Sequence, residues 1–187
     1  MIRKSIFAAL LISLGMYVLA ATPFPFGQIL FAFGLMSICY CNGYLYTGKC
    51  GYVFEDKQYK QLACILILNL VAGWIFGYII SYAYPDAYSF AQLKIRLWIN
   101  PLVHILQAMG CGAVMFLAVD IKKKHNTALG ILYGVPLFLC CGLQHSIANI
   151  IACGMAQTLS PIYLFYILLA VIGNFIGASG TWYLLKQ

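Results

Sequence analysis

The chain has 187 residues, of which 64% are hydrophobic and 8% charged, with a formal net charge of +7. An ordinary soluble domain carries roughly 25% charged residues, so this composition excludes a cytosolic enzyme, a disordered chain and a nucleic-acid binder. The bases lie in short tracts between apolar runs, as membrane proteins distribute them.

Six apolar segments follow in chain order, each near the ~20 residues that a bilayer-spanning helix needs. The first, about 5–21, follows Arg3 and Lys4 and resembles a secretion signal in outline. Five more spans follow it, so it reads as a first membrane helix instead. Pro23 and Pro25 then set a tight turn over Thr22–Gly27, because neither can continue a helix. The second segment runs about 27–46, the third 62–83, the fourth 98–119, the fifth 127–152 and the sixth 161–184. The other connectors, Tyr52–Gln61, Tyr84–Leu97, Asp120–Asn126 and Cys153–Ser160, are all short. Residues 1–187 therefore form one membrane domain of two three-span halves, about 5–83 and 98–184, of opposite orientation.

With the N-terminus inside, Arg3, Lys4, Lys57, Lys60, Lys122, Lys123, Lys124 and Lys186 fall on the inner side, and Lys94 and Arg96 on the outer. That asymmetry predicts a multi-pass protein of the plasma (inner) membrane with both termini cytoplasmic. The Lys122–Lys124 run reads as an anchor at the lipid headgroups.

Two segments are not uniform helices. The second ends in Asn42-Gly43-Tyr44-Leu45-Tyr46-Thr47-Gly48-Lys49, and the fifth carries Gly142-Leu143-Gln144-His145-Ser146-Ile147-Ala148-Asn149. Polar, interrupted backbone at membrane depth survives only where it is buried in protein or lines a cavity. Breaks at matching places in two inverted halves point to a transport site. Asn69-Leu70-Val71-Ala72-Gly73 in the third segment weakly echoes Asn174-Phe175-Ile176-Gly177 in the sixth.

His145 is the central candidate, since an ionisable residue inside a span is a functional hypothesis by default. A histidine titrates near neutral pH and donates a hydrogen bond in either protonation state. The plainer alternative is a neutral core histidine bonded to a neighbouring helix. Thr47 offers a hydroxyl beside Gly48, which permits unusual backbone. In a continuous helix Phe138, seven residues before His145, would face the same way. Asn69 and Asn174 read as interhelical hydrogen-bonding amides. Eight cysteines form no C-x-x-C pair, so neither redox nor zinc spacing is present. No cofactor or metal is expected.

Tyr44-Leu45-Tyr46-Thr47-Gly48 is similar to the Glu-Leu-Phe-Thr-Gly loop motif of the formate/nitrite transporters, and Gly142–Asn149 to their Gly-Phe-Glu-His-Ser-Val-Ala-Asn motif. Gly112–Val119 and Gly173–Gly177 add weaker similarity, in the right order along nearly the whole chain. The chain thus resembles a short member of that family. The resemblance implies an aquaporin-like all-α protomer of two inverted three-helix repeats, assembled as a homopentamer with one pore per protomer. It implies passage of small weak-acid anions such as formate, nitrite or hydrosulfide, and protons, through a lipid bilayer, without enzymatic activity. It maps the central histidine to His145, the loop threonine to Thr47 and the sixth-helix asparagine to Asn174. Hydrophobic constrictions map to Phe31 and Phe138 on the outer side and to Leu35, Leu45, Tyr46 and Met115 on the inner. The vestibule lysine falls on Arg96, with Lys94 nearby.

The sequence departs from the pattern at several places. Gln144 replaces the acid before the histidine, Lys49 the asparagine after Thr-Gly, Tyr46 the loop phenylalanine and Gly112 the fourth-helix asparagine. Losing an acid and gaining a base both favour anions; alternatively, Lys49 snorkels to the headgroups. Two other classes stand beside the anion reading. An aquaporin-like pore for neutral solutes lacks its two Asn-Pro-Ala boxes here, and a membrane thiol-redox protein lacks C-x-x-C.

Overall fold

A computed structural model describes residues 1–186. Among them every regular element is helical: α1 (Ile2–Ala21), α2 (Phe26–Tyr40), α3 (Tyr46–Lys49), a 3₁₀ turn (Cys50–Tyr52), α4 (Val53–Asp56), α5 (Tyr59–Ala83), α6 (Pro85–Arg96), α7 (Pro101–His125), α8 (Leu129–Cys140), α9 (Ser146–Met155) and α10 (Pro161–Leu185). Four of these, α1, α5, α7 and α10, are long and apolar enough to cross a membrane. The second and fifth apolar segments are the interrupted ones, divided as α2 then α3 and α8 then α9.

The ends of the elements follow from local chemistry. Pro85, Pro101 and Pro161 each open a helix, where a missing N–H costs nothing. Asn100 caps α7 by accepting from the Leu102 and Val103 amides at 3.0 and 3.3 Å. Asn126 ends it in the left-handed region at φ 50°. Two expectations change here. The connector between the third and fourth segments holds α6, and α7 continues past residue 119 to carry Lys122–Lys124 on its last turns.

Small residues set the packing. On α5 the buried positions include Ile65, Asn69, Gly73 and Gly77, one per turn, while Ile67, Val71 and Ile75 face outward. α5 packs against α9, and α10 packs along α7. A Cβ on Gly77 would meet the Ile151 carbonyl, and one on Gly177 the Met109 carbonyl. Glycine is needed there because the backbones approach too closely for a side chain.

Candidate functional site

The two breaks are built alike. α2 and α8 each end in a left-handed residue, Asn42 at φ 54° and Gly142 at φ 65°. The next amide turns back to a helix carbonyl five residues earlier, Gly43 to Ile38 at 2.7 Å and Leu143 to Phe138 at 2.9 Å. Extended residues Leu45 and His145 then start the following helices.

One buried asparagine holds each break. Asn69 Oδ1 accepts from the Tyr46 amide at 2.8 Å, and its Nδ2 donates to the Ser5 and Tyr44 carbonyls at 2.9 and 3.1 Å. Asn174 Oδ1 accepts from the Ser146 amide at 2.8 Å, and its Nδ2 donates to the Ala108 and Gln144 carbonyls, both at 2.8 Å. Each amide satisfies one orphan donor and one carbonyl at the break and ties them to a carbonyl of a neighbouring helix, Ser5 in α1 or Ala108 in α7. Asn69→Leu fills a similar volume and leaves the Tyr46 amide and the Tyr44 carbonyl without this partner. It should lower stability by about 2 kcal/mol or more, since each unsatisfied buried group costs about 1–3 kcal/mol. Thermal unfolding in detergent measures this; an unchanged midpoint would show that Asn69 does not hold the break.

His145 and Thr47 meet between the two breaks. Thr47 Oγ1 lies 2.9 Å from His145 Nε2, and both side chains are buried. His145 also caps α9, its Nδ1 accepting from the Ala148 amide at 3.1 Å. An Nδ1 that accepts leaves the ring hydrogen on Nε2, so Nε2–H donates to Thr47 Oγ1. His145 is therefore oriented as a neutral donor.

The Phe138 ring stacks on His145 at 5.7 Å between centroids and 25° between planes. Phe31 meets Phe138 edge to face at 6.1 Å. The stack forms across the break and not along one helical face, which corrects the continuous-helix expectation. Leu35, Leu45 and Met115 are fully buried with them in the core. Tyr46 is buried too, with its hydroxyl donating to the Val171 carbonyl at 3.2 Å. Gln144 joins a polar network: its Nε2 donates to Gln107 Oε1 and the Gly142 carbonyl, and its Oε1 accepts from Asn149 Nδ2.

A cavity opens on each side of these rings. One, of about 420 Å³, is lined by Thr22, Gln28, Lys94 and Gly142, among others. The other, of about 150 Å³, is lined by Leu35, Leu45, Lys49, Lys122 and Lys123, among others. Along α2 the two cavities are reached at Gln28 and Leu35, with Phe31 between them. At about 1.5 Å rise per residue, that barrier is about 10 Å thick.

The bases are placed differently from the sequence expectation. Lys94 lines the larger cavity, whereas Arg96 is exposed at the end of α6 and does not. Burial lowers the Lys94 ammonium from its ordinary value, so as pH rises it loses its charge before an exposed lysine does. Lys49 lines the smaller cavity with its Nζ 4.4 Å from the centre of the Tyr44 ring. Lys122 and Lys123, read from sequence as headgroup anchors, line it as well. Gln107 was missed because a lone glutamine on an apolar helix carries no motif. Asn69 was read as an interhelical amide and as an echo of Asn174, and its hold on the first break shows only in the fold.

Interrupted helices, buried polar groups at the breaks and cavities on opposite sides of an apolar barrier define a membrane transport protein. The profile of the formate/nitrite transporter family matches residues 1–186. The chain belongs to the formate/nitrite transporter family. Two solved structures share its fold. One, described as an FNT family ion channel, is 17% identical with a TM-score of 0.77, over 99% of this chain and 90% of that one. The other, described as a pentameric formate channel with formate bound, is 18% identical with a TM-score of 0.75, over 97% and 94%. No curated protein sequence matches the chain.

Proposed function

We propose that the protein is a membrane channel or proton-coupled carrier for a small monovalent weak-acid anion of the formate, nitrite or hydrosulfide class. The observation that carries this reading is the His145–Thr47 hydrogen bond behind the Phe31–Phe138 pair, with a basic cavity on each side. The family and the formate-bound relative support the substrate class.

Lys94, with Arg96 farther out, draws the anion to the outer cavity. An unpaired ion is strongly penalised in the apolar barrier. Such surroundings also favour the neutral form of a weak acid. The His145 Nε2–H, shared with Thr47 Oγ1, donates to the anion's acceptor atom, oxygen in formate or nitrite and sulfur in hydrosulfide, while the anion takes up a proton that originates in the outer solution. Thr47 holds the ring in place, and Asn174 and Gln144 hold the backbone on either side of His145. The neutral acid passes the inner ring of Leu35, Leu45, Tyr46 and Met115 and releases its proton beside Lys49.

The matched asparagine contacts at the two breaks support two inverted three-helix repeats with six membrane segments. The basic end of α7 and Lys4, whose Nζ sits 5.3 Å from the Tyr44 ring centre, support a cytoplasmic N-terminus and a cytoplasmic Lys49 cavity. The plasma membrane is the site this implies. Flux into liposomes of formate, nitrite, hydrosulfide and urea at pH 5 and pH 7 tests the reading. Anion flux that rises toward acid supports it; urea flux alone would favour the neutral-solute pore.

We also expect a homopentamer, since the formate-bound relative is described as pentameric. The apolar outer stripe of α5 gives such a ring a surface to pack on or to present to lipid. Native mass spectrometry from detergent should give five copies; a monomer or dimer that still transports would contradict this.

A further inference from the structure

We propose that the Lys49 cavity is a binding site for a phosphate-class oxyanion, and that its occupancy stops flux through the pore. The inference rests on the transport reading above, because the site lies on the inner mouth which that reading assigns.

Three lysines line this cavity from separate parts of the chain, Lys49 just after the first break and Lys122 and Lys123 at the end of α7. No carboxylate lines it. The ion pair found among the described residues, Lys124 to Asp120 at 2.9 Å, uses the neighbouring lysine. The remaining Asp120 oxygen accepts from the Tyr52 hydroxyl at 2.9 Å. The cavity's lysines rest on aromatic faces instead: Lys49 over Tyr44 at 4.4 Å, Lys122 over Tyr40 at 4.6 Å and Lys123 over Tyr52 at 3.3 Å. A ring face partly compensates an ammonium, but it leaves that group's three hydrogen-bond donors without acceptors. Glu55, Asp56 and Asp120 act on Lys123 from an adjacent cavity, and Asp56 shares another with Lys49, but none of these acids lines this one, where the three lysines leave positive charge and unused donors.

A tetrahedral oxyanion supplies acceptors to several lysines at once, and charge-assisted hydrogen bonds are the strong ones. A small monovalent anion leaves most of those donors unused. The floor of the cavity, Leu35 and Leu45, is apolar and buried. A multiply charged oxyanion cannot cross such a floor without losing its hydration. It therefore stays at the mouth, where it covers the pore and offsets the charge that attracts the substrate. The phosphate group can belong to a dissolved ion or to an anionic lipid headgroup.

The test uses the full-length protein in phosphatidylcholine vesicles, with inorganic phosphate on both sides and chloride in its place at equal ionic strength. Phosphate should lower formate flux several-fold and chloride should not. A matching loss in vesicles containing phosphatidylglycerol, without added phosphate, would assign the group to the headgroup. Lys122→Asn/Lys123→Asn should raise the phosphate concentration needed by about tenfold, from the charge-assisted hydrogen bonds removed. Lys124→Asn should not. Calorimetric titration of the detergent-solubilised protein with inorganic phosphate keeps the site testable if flux is absent. Loss of flux with retained phosphate binding would overturn the transport reading and leave the site standing. Equal effects of phosphate and chloride, together with no calorimetric binding and no headgroup effect, would overturn the site.

Discussion

In His145→Asn, formate flux should fall by about 10- to 100-fold while the protein stays folded. The fold is kept because asparagine is a favoured N-cap and can take over the contact that His145 Nδ1 makes with the Ala148 amide. Flux falls because asparagine does not reproduce the Nε2–H aimed between the two breaks. A hydrogen bond to a charged group is worth about 1.5–3 kcal/mol, and every 1.36 kcal/mol of barrier is tenfold in rate. After the protein-free leak is subtracted, the residual flux should no longer rise from pH 7 to pH 5. A well-folded variant with an unchanged pH profile above that leak would remove His145 from the proton step.

Lys49→Asn should lower anion flux at low salt and have a smaller effect at high salt. Lys49 lines the cavity that Leu35 and Leu45 close, so its charge acts on an anion at the mouth. Two unit charges ~6 Å apart at an effective dielectric near 20 interact by about 3 kcal/mol before screening, and the screened remainder still changes flux severalfold. Lys60→Asn is the control, because Lys60 is exposed and lies outside that cavity. Equal low-salt flux in Lys49→Asn and the parent protein, both equally inserted, would assign Lys49 to the lipid surface.

The helix breaks were legible in sequence because glycine and polar residues interrupt apolar runs at Asn42–Gly43 and Gly142–His145. The contact between Thr47 and His145 was not, since nothing in local periodicity links residues 98 apart. Family resemblance named both residues as site candidates, and the fold brings them into contact. The stacking of Phe138 on His145 depends on the Schellman turn at Gly142, so continuous-helix spacing reached the right neighbours for the wrong reason. Charge counting told which end of each segment was basic. It could not tell that Lys122 and Lys123 turn toward a cavity, or that Lys94 lines one in place of Arg96. Those distinctions depend on how α6 and the last turns of α7 border the cavities that α2 also lines.

The central claim is that a weak-acid anion crosses together with a proton. It is tested most directly by luminal pH in proteoliposomes loaded with a pH-sensitive dye and given an inward formate gradient at neutral pH. The lumen should acidify several times faster than in protein-free vesicles, and an equal urea gradient should leave luminal pH unchanged. Rapid formate uptake with no acidification beyond the protein-free rate would contradict it, because the anion would then be crossing without a proton.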